Sequence, residues 1–148
     1  MAEDLPRLSH LAPGRASVHG TAVAFGAEGV LITGPSGAGK SGLAAQVLAL
    51  GAALIADDLT ILSRQGAHVL VSAPPDAPAM LEARGLGLVP TPLHPPVALS
   101  AIVILAPSAA RLPEPEHMAV LETPIPVLRH PYRFDLAAKL RLRPWRGM

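Results

Sequence analysis

A glycine-rich segment between an apolar run and a helical pattern constrains the fold of this chain more than any other feature. It reads Gly34-Pro-Ser-Gly-Ala-Gly-Lys40-Ser41 and matches G-x-x-x-x-G-K-[ST] at every fixed position. Residues 30–33 before it have the composition of a buried strand, and residues 40–50 after it carry apolar side chains at helical spacing. The order strand, glycine loop, helix predicts an α/β fold with a P-loop, a mixed sheet and flanking helices.

The glycines of this loop predict a site for nucleotide phosphates. They allow successive backbone N–H groups to turn inward as an anion-binding nest, and the helix that follows adds its positive dipole end. Lys40 supplies a mobile cation, and Ser41 offers a hydroxyl to Mg²⁺, which prefers oxygen ligands. We therefore expect ATP or a related nucleotide, with Mg²⁺, to be bound by the following residues: Gly34, Ser36, Gly37, Ala38, Gly39, Lys40 and Ser41.

Asp57 and Asp58 come immediately after a short apolar run, residues 52–56, which follows directly on the predicted helix. Ligands of an α/β sheet gather at the carboxyl ends of its strands, and a crossover can place this strand beside the one before the glycine loop. One carboxylate can bind Mg²⁺ through water, and the other can accept a proton from an attacking hydroxyl. Read alone, such a pair is as often an ordinary loop feature.

The rest of the sequence predicts further strands and one more helix. Strand spacing occurs in residues 18–25, 60–63, 68–72 and 99–105, of which the middle two flank a turn signal and predict a hairpin. Residues 134–142 have the pattern of a short helix with a basic end. We expect a loose lead-in over residues 1–14 and a single domain over residues 15–148.

The composition argues against several classes of function. A formal net charge of +1 disfavours a broad electrostatic grip on nucleic acid. The chain has no cysteine, which excludes disulfides and thiolate metal sites. The first ten residues lack an apolar signal region, and the longest apolar stretch, residues 98–107, is too short to span a bilayer. We expect a soluble, cytoplasmic protein that binds neither nucleic acid nor a membrane.

His19 and Glu82 are weaker candidates when they are read alone. A lone histidine is more often structural, and Glu82 has the setting of a surface carboxylate near a turn. The other five histidines show no ligand spacing such as H-x-x-x-H, so we expect no histidine metal site.

Four elements, taken in order, resemble the catalytic domain of HPr kinase/phosphorylase. They are His19-Gly20, the glycine loop, Asp57-Asp58 and Glu82-Ala-Arg84-Gly-Leu-Gly87, within roughly residues 17–106. The combination is specific, because ordinary P-loop proteins lack the last element. The resemblance implies a fold of the HPr kinase and PEP carboxykinase type. It looks most like the short, truncated form seen in some proteobacteria.

The resemblance implies an ATP- and Mg²⁺-dependent serine kinase acting on HPr or an HPr-like phosphocarrier of the phosphotransferase system, with a reverse phosphorylase reaction in the family. Asp58 resembles the residue that deprotonates the substrate serine, His19 the histidine that tunes it, and Lys40 the lysine that neutralises the phosphates. Ser41 and Glu82, with Asp57 in support, resemble the metal-binding set.

The chain also departs from the family's pattern. Gly42 follows the glycine loop where the family often has glutamate. Full-length members carry an additional N-terminal domain, for which we expect no room in 148 residues. Their C-terminal helices, which help to hold a hexamer, are reduced here to residues 129–142, although the resemblance still implies a homo-oligomer. Arg111 is the nearest candidate by position for the family's charge-capping arginine.

Two other interpretations of the chain stay open. A nucleotide-sensing module that regulates a partner needs only the loop and the metal, and Gly42 and the short C-terminus favour it. His19, Asp58 and Glu82 favour the kinase. A small-molecule kinase needs an arginine-rich lid, and no such segment is evident. The basic tail, residues 139–146, is either a solvated end or a docking surface for an acidic partner.

Overall fold

Ten strands form one mixed sheet, and two more form a separate hairpin. The computed structural model describes residues 4–107 and 114–143, which contain these strands and two helices. The first strands are β1 Ser9–Ala12, β2 Arg15–His19, β3 Thr21–Phe25, β4 Glu28–Thr33, β5 Ala53–Ala56, β6 Leu59–Gln65 and β7 His68–Ser72. The others are β8 Met80–Ala83, β9 Gly87–Pro90, β10 Val97–Leu105, β11 His117–Val120 and β12 Thr123–His130. The helices are α1 Lys40–Ala49 and α2 Leu136–Leu142.

Strand β10 lies at the centre of the sheet, whose order is β1-β2-β6-β7-β10-β4-β3-β5. It runs parallel to β4 on one side, while β7 pairs with its start and β12 runs parallel to its end on the other. Its residues from Ala101 to Leu105 are all buried. A strand covered on both faces is apolar without alternation, which is why the sequence predicts it so clearly.

The predicted neighbour of β4 is wrong, because β3 lies between β4 and β5. A tight turn at Gly26 joins β3 to β4 as a hairpin, so the edge of β4 that a crossover would reach is already paired. Strand β3 is antiparallel to both β4 and β5. β4 and β5 therefore run in the same direction, and their carboxyl ends reach the same edge of the sheet.

The single strand predicted over residues 18–25 is divided at Gly20 into β2 and β3. Gly20 donates its N–H to the Asp58 carbonyl (2.8 Å), and its own carbonyl accepts from the Thr60 hydroxyl (2.9 Å). A Cβ here would lie 2.8 Å from the Ile32 carbonyl oxygen. The chain thus changes partner at Gly20, from β6 before it to β4 and β5 after it.

The two helices pack on one face of the sheet, and the sheet itself covers the other. Leu43 and Val47 of α1 share a core with Leu136 and Leu140 of α2 and with side chains of β3, β4 and β10. On the opposite face, side chains of β2, β6 and β7 join those of β4, β10 and β12 in a second core, which lacks helices. The mixed α/β fold is confirmed, with a curled sheet and few helices.

Several local expectations can be compared with the structure directly. The hairpin of residues 60–72 is confirmed as β6 and β7, and the two helices begin or end within two residues of their predicted bounds. Part of the predicted lead-in is ordered, since β1 pairs with β2 around a turn at Pro13 and Gly14. The sequence does not predict strands β11 and β12. Within the described ranges, the helices are too short to cross a membrane.

Candidate active site

A cleft of about 340 Å³ lies at the edge of the sheet that the carboxyl ends of β4, β5 and β12 share. It brings together residues of the glycine loop, the turn after β5, the β8–β9 hairpin and the segment after β12. Its lining consists of Ser36, Gly37, Gly39, Lys40, Ser41, Gly42, Asp58, Glu82, Arg84 and Tyr132.

The glycine loop joins β4 to α1. Gly37 has φ 82° and Gly39, the N-cap of α1, has φ 107°, both in the region that favours glycine. No side chain caps α1, so the first N–H groups of the helix are left without a capping partner at the end that borders the cleft. The ammonium group of Lys40 donates hydrogen bonds to the carbonyls of Gly34 (2.9 Å) and Pro35 (3.2 Å). These bonds hold the cation at the loop.

Asp58 occupies a strained turn after β5 that lines the same cleft as the glycine loop. Its φ is 68°, and the N–H of Leu59 donates to the carbonyl of Asp57 at 2.8 Å across it. This is a γ-turn with positive φ, a rare conformation for a residue other than glycine. The turn is held by the bond from Gly20, and it presents an exposed carboxylate to the cleft that Lys40 also lines.

Asp57 points elsewhere, although it is the neighbour of Asp58 in sequence. Its Oδ1 accepts from the Thr21 hydroxyl (3.3 Å), and its Oδ2 accepts from the backbone N–H of Glu82 (2.9 Å). It does not line the cleft. Its carboxylate joins β3 to the β8–β9 hairpin, and a metal-binding role for it stays a prediction.

The β8–β9 hairpin carries two charged residues into the cleft. Glu82 pairs with Leu88 in the hairpin, and Arg84 follows at the turn, where Gly85 and Gly87 both have positive φ. Arg84 therefore lies beside the glycine loop as a second cation. The sequence places Arg84 within a motif but predicts no role for it. The expected charge-capping residue, Arg111, lies outside the described residues.

Tyr132 is the cleft residue for which the sequence gives no signal. It follows Pro131 at the end of β12, and its ring packs against the start of α1. A Cβ on Gly39 would lie 2.3 Å from the ring, and one on Gly42 would lie 2.8 Å from the hydroxyl. The glycine at position 42 thus leaves the space that this tyrosine occupies.

Of the remaining predicted residues, Ser41 and Glu82 line the cleft with oxygen donors, whereas Gly34, Ala38 and His19 do not line it. His19 is exposed at the end of β2 and pairs with Leu59, the residue after Asp58. The described residues hold no group of three His, Asp or Glu side chains suited to a metal. Mg²⁺ commonly needs only one or two protein ligands beside waters and phosphates.

The mixed α/β fold of this chain resembles that of a solved bacterial protein. The structure of the Hpr(Ser) kinase/phosphatase from Coxiella burnetii superposes with a TM-score of 0.74 over 84% of this chain and 91% of that one. Its sequence is 20% identical, so the likeness concerns the fold.

The family follows from the sequence itself. The model of the HPr Serine kinase C-terminal domain matches residues 9–92, and the chain belongs to that family. Curated HPr kinase/phosphorylases are similar as well: that of Lacticaseibacillus casei strain BL23 is 45% identical over 76 residues, and that of Geobacillus sp. strain WCH70 is 46% identical over 82. These matches cover 51% and 55% of this chain but only 24% and 26% of the relatives, about a quarter of their length.

Proposed function

We propose that this chain is an ATP- and Mg²⁺-dependent protein-serine kinase that phosphorylates HPr or an HPr-like phosphocarrier of the phosphotransferase system. One observation carries the proposal: Asp58 and Lys40 line the same cleft, although Asp58 lies in the turn after β5 and Lys40 begins α1. A nucleotide grip needs only the loop. Transfer to a hydroxyl also needs a proton acceptor, and the Asp58 carboxylate lines the cleft that the loop lines.

The chain's own groups have roles in nucleotide binding and in proton transfer. The N–H groups of the glycine loop and the ammonium of Lys40 hold the phosphates of ATP. Asp58 accepts the proton of the substrate serine hydroxyl. At the same time the serine oxygen forms a bond to the terminal phosphorus of ATP, and the bond from that phosphorus to ADP breaks. Arg84 lies in the cleft as a second positive charge for the transferred group.

Ser41 and Glu82 fit a Mg²⁺ ion, because both place oxygen donors on the cleft that the phosphates would enter. When bound, Mg²⁺ neutralises charge on the phosphate oxygens and helps to align them. We assign to His19 the tuning of Asp58, since His19 pairs across β2 and β6 with Leu59, the residue after Asp58. Reverse phosphorylase activity, a cytoplasmic location and assembly into a homo-oligomer belong to the same proposal.

The test uses wild-type protein, Lys40→Ala and Asp58→Asn with Mg-ATP and purified HPr-like proteins of the source organism. Asparagine tolerates the positive φ of residue 58 but cannot accept the proton. We expect Asp58→Asn to bind nucleotide normally and to transfer about 10² to 10⁴ times more slowly. Lys40→Ala should lose nucleotide binding. Mass spectrometry should locate the new phosphate on a serine.

The matched control is Asp76→Asn, since Asp76 is an exposed carboxylate that does not line the cleft. It should behave as the wild type. If Asp58→Asn transferred phosphate at the wild-type rate, Asp58 would not be the base. If the wild type bound Mg-ATP but phosphorylated none of the HPr-like proteins, the nucleotide-sensing alternative would replace the kinase.

A further inference from the structure

Tyr132 combines three features that the kinase mechanism above does not use. It lines the cleft, it packs on two glycines of the loop and helix, and it is the only tyrosine of the chain. Pro131 before it is buried and His130 ends β12, so the main chain delivers the ring to the cleft from a core strand. Tyr132 is nevertheless 40% exposed, so the ring forms a wall of the cleft and does not belong to the core.

The ring holds the glycine loop from outside. Its Cδ2, Cγ and Cε2 atoms lie 2.3, 2.7 and 2.9 Å from where a Cβ on Gly39 would be. Gly39 is the N-cap of α1, and its φ of 107° sets the direction in which the first N–H groups of the helix point. A ring packed against this residue restricts the loop to the conformation in which those N–H groups can meet an anion.

The hydroxyl adds a polar group to the same wall. It lies at Gly42, the third residue of α1, next to Ser41. Among the described residues the hydroxyl has no hydrogen-bond partner, so its proton is available to a ligand. A phenol hydroxyl can donate a hydrogen bond to an anionic oxygen.

We propose that Tyr132 is a nucleotide-binding residue: its ring fixes the Gly39 turn, and its hydroxyl donates a hydrogen bond to a phosphate oxygen of the nucleotide. Gly42 is the complementary position, because only a glycine there leaves room for the hydroxyl. The inference deepens the proposed function and rests on nucleotide binding in this cleft.

A double-mutant cycle tests the pairing of Tyr132 with Gly42 through the affinity for Mg-ADP, measured by calorimetry. Tyr132→Phe keeps the ring and removes the hydroxyl, which should weaken binding about five- to tenfold. Gly42→Ala should weaken it by a similar factor, because the new Cβ displaces the hydroxyl at 2.8 Å. When Tyr132→Phe is already present, Gly42→Ala should add little, since the nearest remaining ring atoms lie at 3.3 and 3.5 Å.

Thermal unfolding of each variant separates binding from folding. Alanine favours a helix more than glycine does, so Gly42→Ala should leave the midpoint unchanged or raise it. A loss of affinity in a protein of equal or greater stability then belongs to the cleft. The pairing would be overturned if the double variant lost affinity for Mg-ADP by the full product of the two single losses.

A direct probe is available because the chain has a single tyrosine. Replacing it with 3-fluorotyrosine gives one fluorine resonance, which should shift with Mg-ADP and saturate at the calorimetric affinity. Adenosine, which lacks phosphate, should shift it far less. Saturable Mg-ADP binding with an unmoved resonance would overturn the role of Tyr132 alone. No Mg-ADP binding by the wild type would overturn both this inference and the proposed kinase.

Discussion

The carboxylate of Asp57 accepts a hydrogen bond from the backbone N–H of Glu82 at 2.9 Å. This bond connects the turn after β5 to the hairpin that brings Glu82 and Arg84 to the cleft. The hairpin pairs with no strand of the large sheet, so such contacts decide where it lies. The two adjacent aspartates therefore have different roles: Asp58 faces the cleft, and Asp57 positions the hairpin that forms one of its walls.

Asp57→Ala should slow phosphoryl transfer by about 10²-fold, because the hairpin loses its tether and Glu82 and Arg84 lose their positions. Asp57→Asn should retain most of the activity, since the amide oxygen can accept from Glu82 and the amide nitrogen can donate to Thr21. Hydrogen exchange of the Glu82 amide should be faster in the alanine variant alone. Equal loss in both variants would instead indicate that the charge is needed, as in a metal ligand.

The strain at Asp58 predicts an order of stability that is independent of activity. With φ at 68°, alanine at this position should lower the free energy of unfolding by about 1 kcal/mol, because it lacks the short polar side chain that lets aspartate and asparagine adopt the left-handed region. Asparagine and glycine should remain within about 0.5 kcal/mol of the wild type. Urea unfolding of the three variants measures the order. All three should transfer phosphate much more slowly than the wild type, and an alanine variant as stable as the glycine one would show that the turn is unstrained.

Thr60 stabilises the point at which β2 becomes β3. Its buried hydroxyl donates to the Gly20 carbonyl at 2.9 Å. Thr60→Val keeps the shape but removes the donor, and should cost about 1 to 3 kcal/mol because a buried carbonyl loses its partner. Thr60→Ser keeps the donor and should cost less. Urea midpoints compare the two variants, and a serine variant less stable than the valine one would show that packing matters more than the hydrogen bond here.

The sequence predicts those parts of the site that local patterns determine. The glycine loop, its strand and its helix are contiguous, so their residue types are enough to place Lys40 and Ser41 together. The reason for expecting Asp58 near them is half right. Its strand does end at the same edge as β4, but β3 separates the two. Both arrangements bring the strand ends to one edge, so the error in strand order does not affect the site.

Long-range pairing determines the rest, and a single sequence does not record it. Tyr132 reaches the cleft only because β12 runs parallel to β10 and ends beside the loop. Strand β12 contains Pro124 and Pro126, which weaken any strand signal. Gly42 stands out in the sequence as a departure from the family, but the tyrosine that packs on it lies far along the chain. Arg84 likewise depends on how the hairpin turns back over the loop.

Arg129 of β12 forms a cluster with two carboxylates that should make stability depend on pH. Its guanidinium donates to both carboxylate oxygens of Glu116 at 2.8 Å and also pairs with Asp4. The hydrogen bond from Arg129 holds the pKa of Glu116 below its ordinary value of 4.5, and that of Asp4 below 3.8. The cluster joins the start of the described chain to the strand that delivers Tyr132.

A carboxyl group with a lowered pKa binds fewer protons in the folded state than in the unfolded one. The stability it contributes is therefore complete above about pH 5 and is lost as the pH falls through the folded pKa.

Glu116→Gln should lower the free energy of unfolding by about 1 kcal/mol at pH 7, a modest amount because solvent screens a partly exposed pair. The difference from wild type should shrink towards about pH 3. Glu114→Gln, two residues away and exposed, is the control. Urea unfolding from about pH 3 to pH 7 measures both, and a difference that stays constant with pH would show that the glutamate contributes by packing alone.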